Sequence, residues 1–495
     1  MIFFLLISLS AFSQSTNPSD YYSPIGIVDT RTFNVNASDN KGNDTQALQD
    51  LINTVSGLRR NNLRGGNINI PAGTYFLDKI DMKSHVHLKV NPEATFVVTN
   101  TNNTERSQKM FVFGGDNQNE VVNASIESTD NNRKFTLNLR RTNAKWITPF
   151  DMRNTRNFKL SGINILDKRS RFQGVNLSAG KLSGGGFQRP RNGFIDNMNI
   201  VNADYGYGLI QMHAGKHIFF RNISGVGGIT LRLESGFREN EARNLVIDDI
   251  VARNVRCTRG NSAVTLSPHS QNHGKVDIRN VTSNNCGFAI RITDSQRTNR
   301  GSFASNSIIR NVKCTLGNQA LVKKSQQKFA PCSLRNEYVL VPNNNLPANN
   351  TLAYRGPSAS AILMDASYSI NFNPNTHISR LTLQSGLQGR PNGGRFVSKA
   401  INCNNNRGSD QAKEITTTTT RLYPNPIKNN GVLNIKHTLS STFQVYDASG
   451  KLVITLDTKT KNGTTVINMK NLSAGLYLVK QITDNGEINI YKVRK

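Results

Sequence analysis

The chain has 495 residues, and its 61 lysines and arginines against 32 aspartates and glutamates leave a formal charge of +29. That sign selects a polyanionic partner, which narrows the choice to nucleic acid, acidic lipid or acidic polysaccharide. Five cysteines are too few for a disulfide scaffold and their odd number excludes complete pairing within the chain; one or two bridges and packed free thiols fit them equally well.

Residues 1–13, MIFFLLISLSAFS, form an apolar run that ends in small residues before Gln14, which predicts a secretory signal peptide. An exported chain does not meet nucleic acid as its ordinary ligand, so acidic polysaccharide moves to the front. No later apolar run is long enough for a transmembrane segment. Residues 14–410 are expected to form one long domain. Near its start, Ala47, Leu48, Leu51, Ile52 and Val55 have helical spacing behind Asn43 or Asp44 as a cap. This helix is placed to cover the open end of a stack of strands, whose edge would otherwise invite aggregation. A turn and strand follow at residues 69–76.

The middle of the chain repeats. Related segments occur at residues 194–198, 219–223, 246–250, 277–281 and 308–312, at intervals of 25, 27, 31 and 31. Each alternates apolar and polar residues over a few positions and breaks at Asn, Gly or Ser, the mark of short strands. A period this long, with about three strands per turn, predicts an all-β right-handed parallel β-helix whose coils stack about 4.8 Å apart. Aligning the strands Leu209-Ile210-Gln211-Met212-His213, Thr230-Leu231-Arg232-Leu233-Glu234, Val264-Thr265-Leu266-Ser267-Pro268-His269 and Ala289-Ile290-Arg291-Ile292-Thr293 puts Gln211, Arg232, Thr265 and Arg291 in one outward column. His213, Glu234, Ser267 and Thr293 form the next, and Gly215, Gly236, His269 and Ser295 a third. Leu231, Leu233, Ile290 and Ile292 then face the core.

Residues 315–395 fit the repeat poorly and form an insertion, which either carries Tyr354, Arg355 and Asp365 toward a ligand or caps the solenoid. Residues 411–421 hold a threonine run that reads as a linker, and residues 422–495 have the strand pattern of a small β-sandwich domain. Arg140-Arg141 and Lys168-Arg169-Ser170-Arg171 are either further anion subsites or solvated faces. The scattered Asp39-Asn40 and Asp130-Asn131-Asn132 lack EF-hand spacing, so no metal ligand set emerges. The protein is expected to be a monomer.

One carboxylate, Glu234, thus sits among guanidinium, imidazole and amide groups on one face. Glycoside hydrolysis needs a proton donor at the leaving oxygen and, for inversion, a base roughly 6.5–9.5 Å away that activates water. Stacked arginines suit a sulfated or carboxylated glycan, because each guanidinium fork matches such an anion bidentately. An Arg–Glu ladder on a solvated face is the structural alternative.

Two resemblances sharpen this reading. Leu422-Tyr423-Pro424-Asn425-Pro426, Tyr446-Asp447-Ala448-Ser449-Gly450-Lys451-Leu452-Val453 and Leu472-Ser473-Ala474-Gly475-Leu476-Tyr477-Leu478-Val479 closely resemble the C-terminal sorting domain that Bacteroidetes use for type IX secretion. This implies the type IX machinery as a partner and a secreted or cell-surface location. Gln211, Arg232-Leu233-Glu234, His269 and Arg291 resemble the active-site pattern of the iota-carrageenases, family 82 of the glycoside hydrolases, over roughly residues 20–400. That resemblance implies an inverting endo-hydrolase of β-1,4 linkages in a sulfated galactan, with Glu234 as general acid and Arg232 and Arg291 on substrate sulfates. Gln211 would help hold a chloride or a water, His269 matches the active-site histidine, and His213 joins the substrate contacts. Calcium and chloride are implied by the family alone, and no organic cofactor. The family's aspartate two residues after the acid, its base, is here Gly236. His269, Glu239 and Glu241 are the alternatives for organising the water; weakened or altered activity is the other outcome. A polysaccharide lyase and a non-catalytic glycan-binding β-helix are the competing functions.

Overall fold

The computed structural model describes residues 14–495 apart from 35–43, 100–107, 142–145, 239–241, 243, 294–300, 342–352, 365–377, 386–393, 404–420, 428–430, 438–439, 459–462 and 484–487. The signal-peptide segment, Asn43, Glu239, Glu241, Ser295, Asp365, Asp39-Asn40 and all of the threonine linker but Arg421 lie outside the described residues. The chain divides into two compact units, Met1–Cys403 and Asn404–Lys495.

The first unit is the expected right-handed parallel β-helix, with 22 strands in one network. Its entry is covered by helix α1 (Asp44–Gly57), whose Leu48, Ile52 and Val55 are buried in the solenoid core. Asp44 Oδ2 accepts a hydrogen bond from the Phe76 amide at 2.7 Å, which ties the cap to the first coil. Inside, coils share stacked apolar side chains, including the aromatic series Tyr75, Phe96, Phe111 and Phe150.

The strands that carry the candidate site are β1 (Ile147–Met152), β2 (Val175–Leu177), β3 (Arg191–Met212), β4 (Gly215–Glu234), β5 (Ser262–Ser267), β6 (Phe288–Ile292) and β7 (Ile362–Met364), each paired in parallel with the next. The repeat differs from the sequence reading in one coil. Phe219–Ile223 stacks not on residues 246–250 but on residues 251–255, which in turn stack on 277–281 and 308–312. Residues 246–250 have the same apolar–polar alternation and a left-handed residue at Asp249, but they stack on residues 215–218, and the coils from 219 onward align on an asparagine near the end of each segment. Asn222, Asn254, Asn280 and Asn311 adopt left-handed backbone with φ of 53°, 60°, 60° and 56°, a conformation asparagine tolerates better than other non-glycine residues. Their side chains form a ladder, Asn254 to Asn222 at 2.8 Å, Asn280 to Asn254 at 3.1 Å and Asn311 to Asn280 at 3.0 Å.

The insertion folds back as an antiparallel arm of Ala320–Lys323, Val339–Val341 and Ala353–Gly356, after which Ile362–Met364 and Ile378–Ser385 rejoin the solenoid. Cys332 and Cys403 form a disulfide, while Cys257, Cys286 and Cys314 are buried. The second unit is a β-sandwich of antiparallel strands in sheets of three and four. Leu433 and Ile435 from one sheet meet Phe443, Val445 and Val479 from the other in a separate core.

Candidate active site

Strand alternation builds the site. Leu231 and Leu233 are fully buried in the solenoid core, which turns Arg232 and Glu234 to the opposite face. Gln211, Arg232, Thr265 and Arg291 are register partners across β3, β4, β5 and β6. Glu234 pairs with Ser267, and His213 directly follows the end of β3, whose Met212 pairs with Leu233. The third column differs. Gly215 opens the next strand segment and pairs with Ile247, because the chain turns a corner after His213. Gly236 and His269 are neighbours, as a Cβ on Gly236 would lie 3.3 Å from the imidazole.

The columns point away from the core yet not into bulk water: Gln211 is 7% exposed, Glu234 8% and Thr265 2%. Glu234 is fully engaged. Its Oε2 pairs with Arg232 Nη2 and accepts from Gln211 Nε2 at 3.1 Å, and its Oε1 lies 3.4 Å from His269 Nε2. Burial pushes the carboxyl pKa up, but the Arg232 guanidinium and the His269 hydrogen bond outweigh it and hold the group well below the usual carboxylate range. In the unliganded site Glu234 is therefore an ionised, paired carboxylate. His213 is half-buried beside it; desolvation brings its pKa down to about 4, so its ring is neutral at neutral pH. His269 has a left-handed backbone at φ 51°, a strained conformation for a non-glycine residue that aims its ring back over Gly236.

Next to the carboxylate lies a pocket of about 160 Å³ lined by Tyr205, Tyr207, Arg232, Arg291, Lys323 and Gln326. Burial and the neighbouring Arg232 bring Arg291 down to about 10. Burial and the same two arginines lower Lys323. The Nε atoms of Arg232 and Arg291 are both buried without a hydrogen-bond partner. Arg291 Nη1 donates to Asn261 Oδ1 at 2.8 Å, and Asn261 Nδ2 donates to Gln326 Oε1 at 2.8 Å, which ties the arginine to the arm. Two arginines with unsatisfied donors, and Lys323 beside them, form a site that an anion would complete. Lys323 and Tyr205 escaped the sequence reading, because the arm lies outside the repeat and Tyr205 sits in an irregular stretch of β3, where the register shifts between Ala203 and Gly208.

At the other end of the cleft, Phe237 follows the Gly236 turn and is 42% exposed. Arg153 and Arg238 lie 5.2 Å and 5.4 Å from its ring centre, and His213 lies 5.7 Å away. Asp116 Oδ2 pairs with both arginines. Asp151 and Asn176 continue the Gln211 column into this region. Of the other basic clusters, Arg169 is paired with Asp204 at 3.0 Å and Arg171 lies 5.7 Å over Trp146. Arg355 donates to the Gln319 carbonyl at 2.7 Å.

Among the described residues no group of three or more His, Cys, Asp or Glu side chains converges as a metal site. Glu239 and Glu241, the acidic candidates for the base, lie outside the described residues. His269 is too close to Glu234 for a water to fit between them.

The fold and the site together define a parallel β-helix with a buried carboxylate and a cationic pocket side by side. Residues 421–493 match the Secretion system C-terminal sorting domain, which directs the chain to the cell surface or the medium through type IX secretion. Over 264 residues the chain is 33% identical to the iota-carrageenase of Zobellia galactanivorans, and over 265 residues 34% identical to that of Alteromonas macleodii. Each match covers 52% of this chain and 51% of the relative, so the chain spans about half the length of the curated relatives it matches. Among solved structures, a 1,3-alpha-1,4-beta-D-galactose-4-sulfate-3,6-anhydro-D-galactose-2-sulfate 4 galactohydrolase superposes with a TM-score of 0.69 at 25% identity, covering 80% of this chain and 97% of that one. An iota-carrageenase complexed to iota-carrageenan fragments gives 0.67 at 24% identity, with 79% and 96% covered. The chain is thus similar to the iota-carrageenases over about half its length, and its solenoid has their fold.

Proposed function

We propose that the protein is a secreted endo-hydrolase that cleaves β-1,4 linkages of iota-carrageenan with inversion. The observation that carries this reading is one buried carboxylate, Glu234, bordered by a cationic pocket sized for a sulfate, on the fold of the carrageenases. Glu234 donates a proton to the glycosidic oxygen as its bond to the anomeric carbon breaks. A water oxygen bonds to that carbon and releases its proton, so the net change is addition of one water. Arg232 and Arg291 grip a substrate sulfate, and Gln211 and His269 orient the carboxylate. His213 stays neutral and borders the bound sugar. The donor set of the arginine pocket suits a chloride when no sulfate is bound; the described residues supply no comparable cluster for calcium.

Glu234→Gln in the secreted protein is expected to abolish release of reducing ends from iota-carrageenan while its circular dichroism stays unchanged. Retained activity removes Glu234 from the mechanism. Two observations favour other readings. Gly236 in place of an acidic side chain favours a binding module, for which salt-sensitive retention of sulfated polymer without products is the signature. Lys323, with a lowered pKa beside the cleft, is the kind of base a lyase would use, for which absorbance from unsaturated ends is the signature.

A further inference from the structure

Arg232 faces two ways. One edge of its guanidinium pairs with Glu234 and donates from Nη1 to the Gly206 carbonyl at 2.6 Å. Its Nε, buried without a partner, belongs to the wall of the pocket that Arg291 and Lys323 complete. The groups that face Glu234 come from several coils: Arg232 on its own strand, the neutral His213 from the coil before, His269 from the coil after, and Arg291 and Lys323 from farther along. Two guanidinium groups and the Lys323 amine thus share the cleft with one carboxylate. A resting Glu234 is well made for pairing and poorly made for giving up a proton, since a general acid must be protonated near the working pH.

We propose that a substrate sulfate seated between Arg232 and Arg291 is the switch that turns Glu234 into a proton donor, so that sulfation of that one sugar gates cleavage instead of only adding affinity. The sulfate takes the guanidinium fork that now holds the carboxylate, and its negative charge offsets the cations around it. Glu234 then takes a proton from water and delivers it to the glycosidic oxygen. A chain lacking this sulfate binds through its other contacts and leaves Glu234 ionised. The inference rests on Glu234 being the acid of the proposed hydrolase and adds what arms it.

The test compares kcat, KM and the pH profile on iota-carrageenan oligosaccharides of equal length, intact or selectively desulfated at one position of the repeat. The protonated fraction of an acid changes tenfold per pH unit above its pKa, so loss of the gating sulfate is expected to lower kcat on the order of 100-fold. The alkaline limb of kcat should move at least about one pH unit to the acid side, with KM rising less than about tenfold. A purely addressing sulfate instead raises KM and leaves kcat and its alkaline limb in place, which would overturn the proposal.

Difference infrared spectroscopy on the full chain, with Glu234→Gln to assign the band, gives a readout separate from activity. A protonated-carboxyl stretch at neutral pH should appear with a sulfated tetrasaccharide and not with its desulfated counterpart. Ionised carboxylate in both complexes, or protonation in both, refutes the gate. If no sulfated galactan is hydrolysed at all, the hydrolase reading fails, while the infrared comparison still decides whether sulfate controls Glu234.

Discussion

Placing an aspartate at position 236, where the carrageenase pattern has its base, will not restore a hydrolytic pair in this chain. Gly236 has φ 123°, which side-chain-bearing residues rarely adopt, and a Cβ there would meet the His269 ring at 3.3 Å and 3.4 Å. Forcing an L-residue into such backbone costs on the order of 1–3 kcal/mol, and the crowded imidazole adds to it. With an unfolding entropy of about 2.1 cal/mol/K per residue, a unit the size of Met1–Cys403 shifts its midpoint by roughly 1 °C per kcal/mol, so Gly236→Asp should lower the melting midpoint by roughly 1–4 °C. Gly236→Ala should lower it by a similar amount, since it carries the backbone strain without the charge. Calorimetry of both variants, with reducing-end assays on iota-carrageenan, measures the two effects separately. A Gly236→Asp protein that melts with the parent and turns over faster would refute the reasoning, because it would mean that the turn after Glu234 accepts a side chain and that a base was all the site lacked.

Other consequences follow from single residues. Phe237→Ala removes the exposed ring between Arg153 and Arg238 and should raise KM several-fold, the equivalent of about 0.5–1.5 kcal/mol of ring contact, with a smaller change in kcat; an unchanged KM would remove Phe237 from the substrate path. Asn254→Ala breaks two rungs of the asparagine ladder and places alanine at φ 60°, which should cost about 2–4 kcal/mol by urea unfolding, whereas Asn254→Gly should recover the backbone part. Burial pushes the Asp167 carboxyl up to about 6 from its ordinary 3.8, ahead of the lowering by its hydrogen bonds from Lys168 and Ser170. The folded state therefore holds this proton more tightly than the unfolded chain, and the group costs stability as pH rises from about 4 to 6. Asp167→Asn should gain on the parent across that window by up to about 3 kcal/mol, and parallel stability curves would show that Asp167 is not protonated in the fold.

The order of the site along the cleft was legible because strand alternation is a local steric property. Once Leu231 and Leu233 are assigned to the core, Arg232 and Glu234 must face the other way, and the same rule places Gln211, Thr265 and Arg291 beside them. The capping helix was equally legible, since Leu48, Ile52 and Val55 recur at helical spacing. The slip at residues 246–255 shows where such reasoning stops. Two adjacent segments share the alternation, and the left-handed asparagine, visible as a recurring Arg-Asn-Val or Arg-Asn-Ile triplet, selects between them. Gly215 was misplaced for a related reason, because strand alternation carries no record of the corner that the chain turns after His213.

The sequence by itself determined that this is a cationic β-helix with a single carboxylate, Glu234, in an arginine-bearing column, for these follow from composition, period and local geometry, while the sorting tail was legible only through its resemblance to a known domain. Tertiary structure alone decided that Arg232 closes on that carboxylate and holds it ionised, and that Lys323 arrives from a distant arm to complete an anion pocket. A protonation state is the sum of charges brought together from several coils in a desolvated cleft, and that sum exists only after the coils have stacked.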